Sequence, residues 1–239
     1  MTFTARVAIF AAILATATAC STSGTPTPGA SPGATATTTS AAESPYVATT
    51  AKLKGVKGGA TYDVEIPQVE GGKPAVSEKF NNSVRTSVDQ QINQDGTFTL
   101  DGVSQKVILG NDVIAGVLEM SFMVTDPMAA HPNGLVGTFV IRKSNAKPVM
   151  LTELFSDVNE GLQRLSDAAK QKVKAKLGAD STFDGGMSPD AKNFANWVPT
   201  STGLEIHFDD GQVGPHAAGM VVIEVPWSTF DGVLAEKLN

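Results

Sequence analysis

The sequence is poor in the residues that several protein classes depend on. Its 239 residues include one cysteine, three histidines, two tryptophans and two tyrosines. A single cysteine excludes an internal disulfide framework. The balance of 18 basic against 24 acidic residues, with few aromatic side chains, argues against nucleic-acid binding. Beyond the N-terminal segment no apolar run approaches the roughly 20 residues that a spanning helix needs.

The N-terminus carries the pattern of a bacterial lipoprotein signal. Arg6 precedes a continuous apolar run, "VAIFAAILA", which has the length of a signal-peptide core and is too short to cross a bilayer. The residues Ala17-Thr18-Ala19-Cys20 then resemble a lipobox, with alanine where leucine is commoner. We therefore predict a signal peptide over residues 1–19 and lipid attachment at Cys20. The alternative is an ordinary signal peptide followed by an incidental cysteine.

The segment after Cys20 has the composition of a tether. Residues 21–45 are dominated by Ser, Thr, Pro, Gly and Ala, which cannot bury enough apolar surface to fold. As a flexible coil such a segment reaches about 25–30 Å. We therefore predict a lipid-anchored protein on the outer, extracytoplasmic face of the cell membrane, with its folded part in residues 46–239.

Two segments of the folded part have the apolar spacing of amphipathic helices. The first lies within "VSEKFNNSVRTSVDQQIN" and the second within "TELFSDVNEGLQRLSDAAKQKVKAKLG", where Gly178 suits the C-terminal end. The predicted buried stripes are Phe80, Val84, Val88 and Ile92 on the first helix, and Leu162, Leu165, Ala169, Val173 and Leu177 on the second.

The remaining segments alternate or run apolar as strands do, and turn signals separate them. Because strands group together and helices interrupt them only twice, we predict an α+β fold with a mostly antiparallel or mixed sheet and two main helices. We place a small N-terminal lobe at about 46–127 and a C-terminal lobe at about 128–239. The predicted strand segments are "ATYDVEIP" ending at Pro67, the strands of "GTFTLDGVSQKVILGNDVIAGVLEMSFMV" broken at Gly102 and at "GND", a hairpin in "LVGTFVIRKSNAKPVML", "NWVP", "GLEIHF" and "GMVVIEVPW".

Motifs of specific chemistry are missing. The sequence has no G-x-S-x-G elbow, no H-E-x-x-H pair, no calcium loop and no phosphate-binding loop. Three dispersed histidines do not make a zinc site, so we predict neither a metal nor a cofactor. A serine–histidine site would have to use Ser188 or Ser121 beside His216.

One loop stands out between two predicted strands, "DDGQVGPHAAG". Asp209 and Asp210 open it and Pro215 stiffens it before His216. Loops placed between rigid strands often carry binding residues. Two interpretations stay open, a plain connection and a binding surface.

The residues of the C-terminal half resemble the RsiV-type domain, which is found in lysozyme-sensing anti-sigma factors and in secreted actinobacterial proteins. The resemblance rests on the order and spacing of "AAHPNG", "KPVMLTELFSD", "NFANWVPTSTGLEIHFDDGQVGPHAAG" and "VVIEVPWSTF". It implies a binding domain and adds His131 of the first motif to the candidate residues. His216 stands where the family has an aromatic residue.

These observations predict a binding protein of the cell envelope that does no chemistry. The expected partners are the membrane, through the anchor, and a cell-wall component or a lysozyme-like protein; no nucleic acid is expected. The alternative is an envelope hydrolase of the esterase or deacetylase type. A sensor of the anti-sigma type is disfavoured, because no spanning helix is predicted to carry a signal inward. The candidate ligand-binding residues are Asp209, Asp210, Pro215, His216 and His131.

Overall fold

The computed structural model describes residues 44–238, so the predicted signal peptide, Cys20 and most of the tether lie outside the described residues. This part also contains six short 3-10 turns, the first at Leu151–Leu154 and the last, Trp227–Phe230, after the final strand. In chain order the helices and strands are β1 Val47–Lys57, β2 Ala60–Glu70, α1 Pro74–Ile92, β3 Thr97–Leu109, β4 Val113–Asp126, β5 Asn133–Arg142, α2 Val158–Leu177, β6 Trp197–Pro199, β7 Gly203–Phe208 and β8 Val221–Pro226.

The strands form two sheets. The larger has the order β1-β2-β3-β4-β5, and the smaller has the order β6-β7-β8. The neighbouring pairs are antiparallel except β2 and β3, which run parallel and are joined through α1. The predicted α+β fold with a mixed sheet and two main helices is confirmed.

Both faces of the larger sheet are buried over Val113–Leu118 of β4, where alternate side chains enter two hydrophobic clusters. Ile114 and Leu118 pack with α1 in one cluster, whereas Ala115 and Val117 join α2 and the smaller sheet in the other. The predicted division at residues 127/128 falls between β4 and β5, which pair along ten residues of each strand. It therefore lies within one sheet.

Both helices bury the predicted stripes. All four stripe residues of α1 are buried, as are those of α2 except Leu177, which is half-buried. The second helix begins later than its sequence segment because Leu151–Leu154 forms a separate turn. The side chain of Asp157 then caps α2 by accepting a hydrogen bond from the Glu160 N–H, and Gly178 follows its last residue with φ 86°.

Four features of the strands differ from the sequence-based expectation. β3 continues through Gly102, where a shift of register against β4 replaces the predicted break. β1 is an additional edge strand whose side chains are exposed or half-buried, so it has no core-forming apolar run. β2 continues past Pro67, which is tolerated because β3 pairs with β2 only as far as Asp63. The expected second strand of the 135–151 hairpin is reduced to one bridge between Ile141 and Pro148.

In residues 44–238 neither helix combines the length and the hydrophobicity of a transmembrane span.

Candidate functional site

The candidate site forms where the end of β7 meets β5 at the edge of the larger sheet. Asp209 directly follows β7, and its Oδ1 accepts a hydrogen bond from the Val136 N–H over 3.0 Å. The Asp210 N–H donates to the Gly134 carbonyl over 3.3 Å. These bonds hold the start of the 209–219 loop against β5, the last strand of the larger sheet.

The loop continues into a short 3-10 turn, His216–Ala218, which Pro215 precedes. Met220 follows this turn and packs directly over Gly134: a Cβ at that glycine would lie 2.8 Å from Met220 Cγ. Glycine at position 134 therefore lets the end of the loop approach the backbone of β5 closely. The loop is fixed to β5 at both of its ends.

This arrangement brings His131 and His216 together. Their ring centroids are 4.9 Å apart, with the ring planes inclined at 50°. His216 Nδ1 lies 3.0 Å from Asp210 Oδ1, and His131 Nδ1 lies 3.1 Å from the carbonyl oxygen of Pro132. We call His131, Asp210 and His216 the histidine-pair site. Of the other candidate residues, Pro215 directly precedes His216, and Asp209 directly precedes Asp210 and binds the Val136 N–H.

The side chains of Asp209 and Asp210 are less exposed than acidic side chains of a surface loop usually are. The side chain of Asp210 is only 9% exposed, whereas that of His216 is 54% exposed. Burial raises the pKa of Asp209; the Val136 N–H opposes this shift and the charge of Asp210 adds to it. Both carboxyl groups thus hold the loop in place, and the accessible part of the site is the imidazole pair.

Two exposed apolar side chains belong to segments that adjoin the site in the chain or through a backbone hydrogen bond, and the sequence analysis did not select either. Met128, three residues before His131, is 75% exposed. Phe183 is 48% exposed, and its N–H donates to the carbonyl of Val213, three residues before His216. Only a large apolar residue in a turn-like segment, "TFDGG", could have pointed to Phe183 from sequence.

The third histidine belongs to a different environment. His207 lies in β7 and is 6% exposed. Its Nε2 is 3.0 Å from Glu205 Oε1, which also pairs with Lys106 of β3 over 3.3 Å. His207 is therefore an interior residue at the junction of the two sheets.

The serines considered for a serine–histidine site do not complete one. The Ser188 hydroxyl donates to the Gly185 carbonyl and accepts from the Asn193 amide. Ser121 lies in β4 opposite Gly134. Within residues 44–238 no hydrogen bond joins either hydroxyl to a histidine, and no group of three or more His, Cys, Asp or Glu side chains could hold a metal ion.

Comparisons with known proteins agree with this architecture. Residues 152–228 match the family model described as a protein of unknown function, DUF3298. The fold is similar to the crystal structure of a DUF3298 family member from Bacteroides fragilis, with a TM-score of 0.53 and 12% identity over 80% of this chain and 94% of that one. A DUF3298 family protein from Pseudomonas aeruginosa PAO1 gives a TM-score of 0.52 and 12% identity over the same shares. No curated protein matches the chain.

These matches define the class of protein: an α+β domain with the fold of DUF3298 proteins. Residues 152–228 carry the segment that the family model describes, and they include the 209–219 loop. The sequence analysis predicted an RsiV-type domain; the comparisons show a match of residues 152–228 to the DUF3298 family model and the fold of DUF3298 proteins.

Proposed function

We propose that this chain is a lipid-anchored, extracytoplasmic binding protein of the RsiV type, whose ligand is a cell-envelope component or a lysozyme-like protein. The observation that carries the proposal is the convergence of His131 with the 209–219 loop. The two segments are far apart in the chain, yet their imidazoles lie 4.9 Å apart on an accessible surface.

The surroundings of the histidine-pair site support binding of a macromolecule. Met128 and Phe183 offer exposed apolar contacts, and the centres of protein interfaces are enriched in Met and aromatic residues. The site is also preorganised, because Asp210 holds His216 and Met220 packs on Gly134. A preorganised loop loses less conformational entropy when a partner binds.

The anchor and tether supply the location in this proposal. Lipidation at Cys20 would hold the domain at the outer face of the membrane, with the tether spacing it from the lipid headgroups. This part of the proposal rests on the lipobox-like sequence "ATAC" and on the composition of residues 21–45.

The second candidate is an envelope hydrolase, and the Asp210–His216 pair favours it. A histidine oriented by a carboxylate is the arrangement of a general base. It ranks second because, in the described part of the chain, the Ser188 and Ser121 hydroxyls make no hydrogen bond to His216.

Two assays on the purified protein separate these functions. The first measures binding to surface-immobilised lysozyme and to purified peptidoglycan, and the second measures hydrolysis of p-nitrophenyl acetate. We expect binding to one of the two probes that falls at least about tenfold in the His131→Ala/His216→Ala variant, a loss typical of interface hot spots. Val56→Ala is the control, because Val56 is 74% exposed on β1 at the opposite edge of the sheet. Turnover abolished by His216→Ala, without binding, would support the hydrolase instead.

A further inference from the structure

We infer that His131 and His216 bind a divalent transition-metal ion, Cu²⁺ or Zn²⁺, through their two Nε2 atoms. This inference goes beyond the proposed function and does not depend on it. It is compatible with the lack of a three-residue metal cluster in residues 44–238, because only two protein ligands take part.

The hydrogen bonds of the two rings set their tautomers. His216 Nδ1 faces a carboxylate oxygen of Asp210 at 3.0 Å, and His131 Nδ1 faces the Pro132 carbonyl oxygen at 3.1 Å. Both partners are acceptors, so each Nδ1 is the donor of its hydrogen bond, and a neutral ring then has its lone pair on Nε2. In metal sites a ligating histidine nearly always donates its other N–H to a carboxylate or a backbone carbonyl. The pair has both kinds of hydrogen bond, to a carboxylate at His216 and to a backbone carbonyl at His131.

The spacing of the rings also suits a shared ion. With metal–nitrogen bonds of about 2.0–2.1 Å, two imidazoles that bind one ion at angles of about 90–110° have centroids roughly 4.5–5.3 Å apart. The separation of 4.9 Å between His131 and His216 lies in this range. Imidazole nitrogen favours Cu²⁺ and Zn²⁺, and Cu²⁺ binds more tightly by the general order of affinities.

Neighbouring residues give the pair the character of a binding site. Asp210, at 9% exposure, is a positioning residue that holds His216 and supplies a negative charge close to the ion. His216 is 54% exposed, so an ion can reach the ring from solvent. Two protein nitrogens leave further coordination positions for water or for a donor atom of a partner.

The test uses the full-length protein, which has only three histidines. Without metal, ¹⁵N NMR should show the Nδ1–H tautomer at His131 and His216. Substoichiometric Cu²⁺ should then broaden the signals of both residues while that of buried His207 persists. The metal titration includes neither lysozyme nor peptidoglycan. A failure to bind metal is therefore distinguishable from a failure of the proposed function.

Affinity measurements on variants complete the test. Zn²⁺ affinity from calorimetry should fall at least about tenfold in His131→Ala and in His216→Ala, and about tenfold in Asp210→Asn, the usual effect of losing such a supporting group. The Asp210→Asn variant should also lose the fixed tautomer of His216, which a purely structural role would not change. Val56→Ala, at the opposite edge of the larger sheet, is the control and should bind as the wild type does. Unchanged affinity in either histidine variant, or the Nε2–H tautomer at either ring, would overturn the inference.

Discussion

The Oδ1 atom of Asp209 accepts a hydrogen bond from the Val136 N–H over 3.0 Å, and this bond fastens the end of β7 to the edge of β5. It occupies a main-chain donor on a strand edge that would otherwise be open to another chain. The histidine-pair site lies directly after this fastening, so Asp209 bears on both the stability and the geometry of the site.

Asp209 also makes the stability of the protein depend on pH. Burial raises its pKa in the folded state, so the folded protein binds this proton more tightly than the unfolded chain does. The contribution therefore favours folding at low pH. It is lost as the pH rises from about 4, the pKa of the unfolded chain, through the folded pKa.

Asp209→Asn keeps an oxygen acceptor for the Val136 N–H and carries no charge, so its stability relative to the wild type should increase from pH 4 to pH 7. Urea unfolding at several pH values measures this, with exposed Asp180→Asn as the control. A constant difference across the range would contradict it.

Gly134→Ala should loosen the end of the loop. The new Cβ would lie 2.8 Å from Met220 Cγ, and overpacking of this kind typically costs about 1–3 kcal/mol. Gly137→Ala in the same strand is the matched control, because its nearest neighbour is 3.4 Å away. Thermal unfolding should show a lower Tm for the first variant and an unchanged or higher Tm for the second. An equal Tm for the two variants would mean that the packing of Met220 on β5 does not require glycine at position 134.

The last residues of the predicted tether already contact the folded part of the chain. The Gly72 N–H donates to the Ser44 carbonyl over 2.8 Å, and the Tyr46 hydroxyl accepts from the Lys73 N–H over 3.1 Å. A chain beginning at Ser44 should unfold like the full protein. A chain beginning at Tyr46 should lose about 0.5–1.5 kcal/mol, the usual net value of one hydrogen bond. Denaturant unfolding of the two chains tests this, and a large loss in the Ser44 chain would show that earlier residues contribute to stability.

Acylation of Cys20 follows from the position of this residue between an apolar run and the tether. Metabolic labelling with an alkyne fatty acid should mark the wild type and not Cys20→Ser. The variant should also be lost from the membrane fraction, because without the cysteine sulfur it carries no acyl chains to bury in the bilayer. Equal labelling of both proteins would remove the anchor from the proposed function.

The helices and most strands were predictable because periodicity reports burial directly. The stripes of α1 and α2 repeat at helical spacing, and strands such as β7 and β8 are apolar runs between turn signals. β1 was not predicted because it is an edge strand with lysines and exposed valines. Its sequence therefore lacks the apolar alternation of a strand that faces the core.

The site was predictable in its residues and not in its geometry. Family resemblance pointed to His131, and loop chemistry pointed to Asp210 and His216. Their convergence depends on the register of β5 against the residues that follow β7, and sequence pattern does not contain that pairing. The burial of Asp209 was missed for the same reason, since an Asp-Asp-Gly segment is ordinarily an exposed turn.

A hydrogen–deuterium exchange footprint tests the role of the histidine-pair site most directly. The full protein would be measured alone, with lysozyme and with soluble peptidoglycan fragments, beside the His131→Ala/His216→Ala variant. We predict that one of the two probes protects the segments around residues 128–136, 183 and 209–220, and that the variant loses this protection. Protection confined to other segments, or protection that survives in the variant, would contradict a binding role for this site.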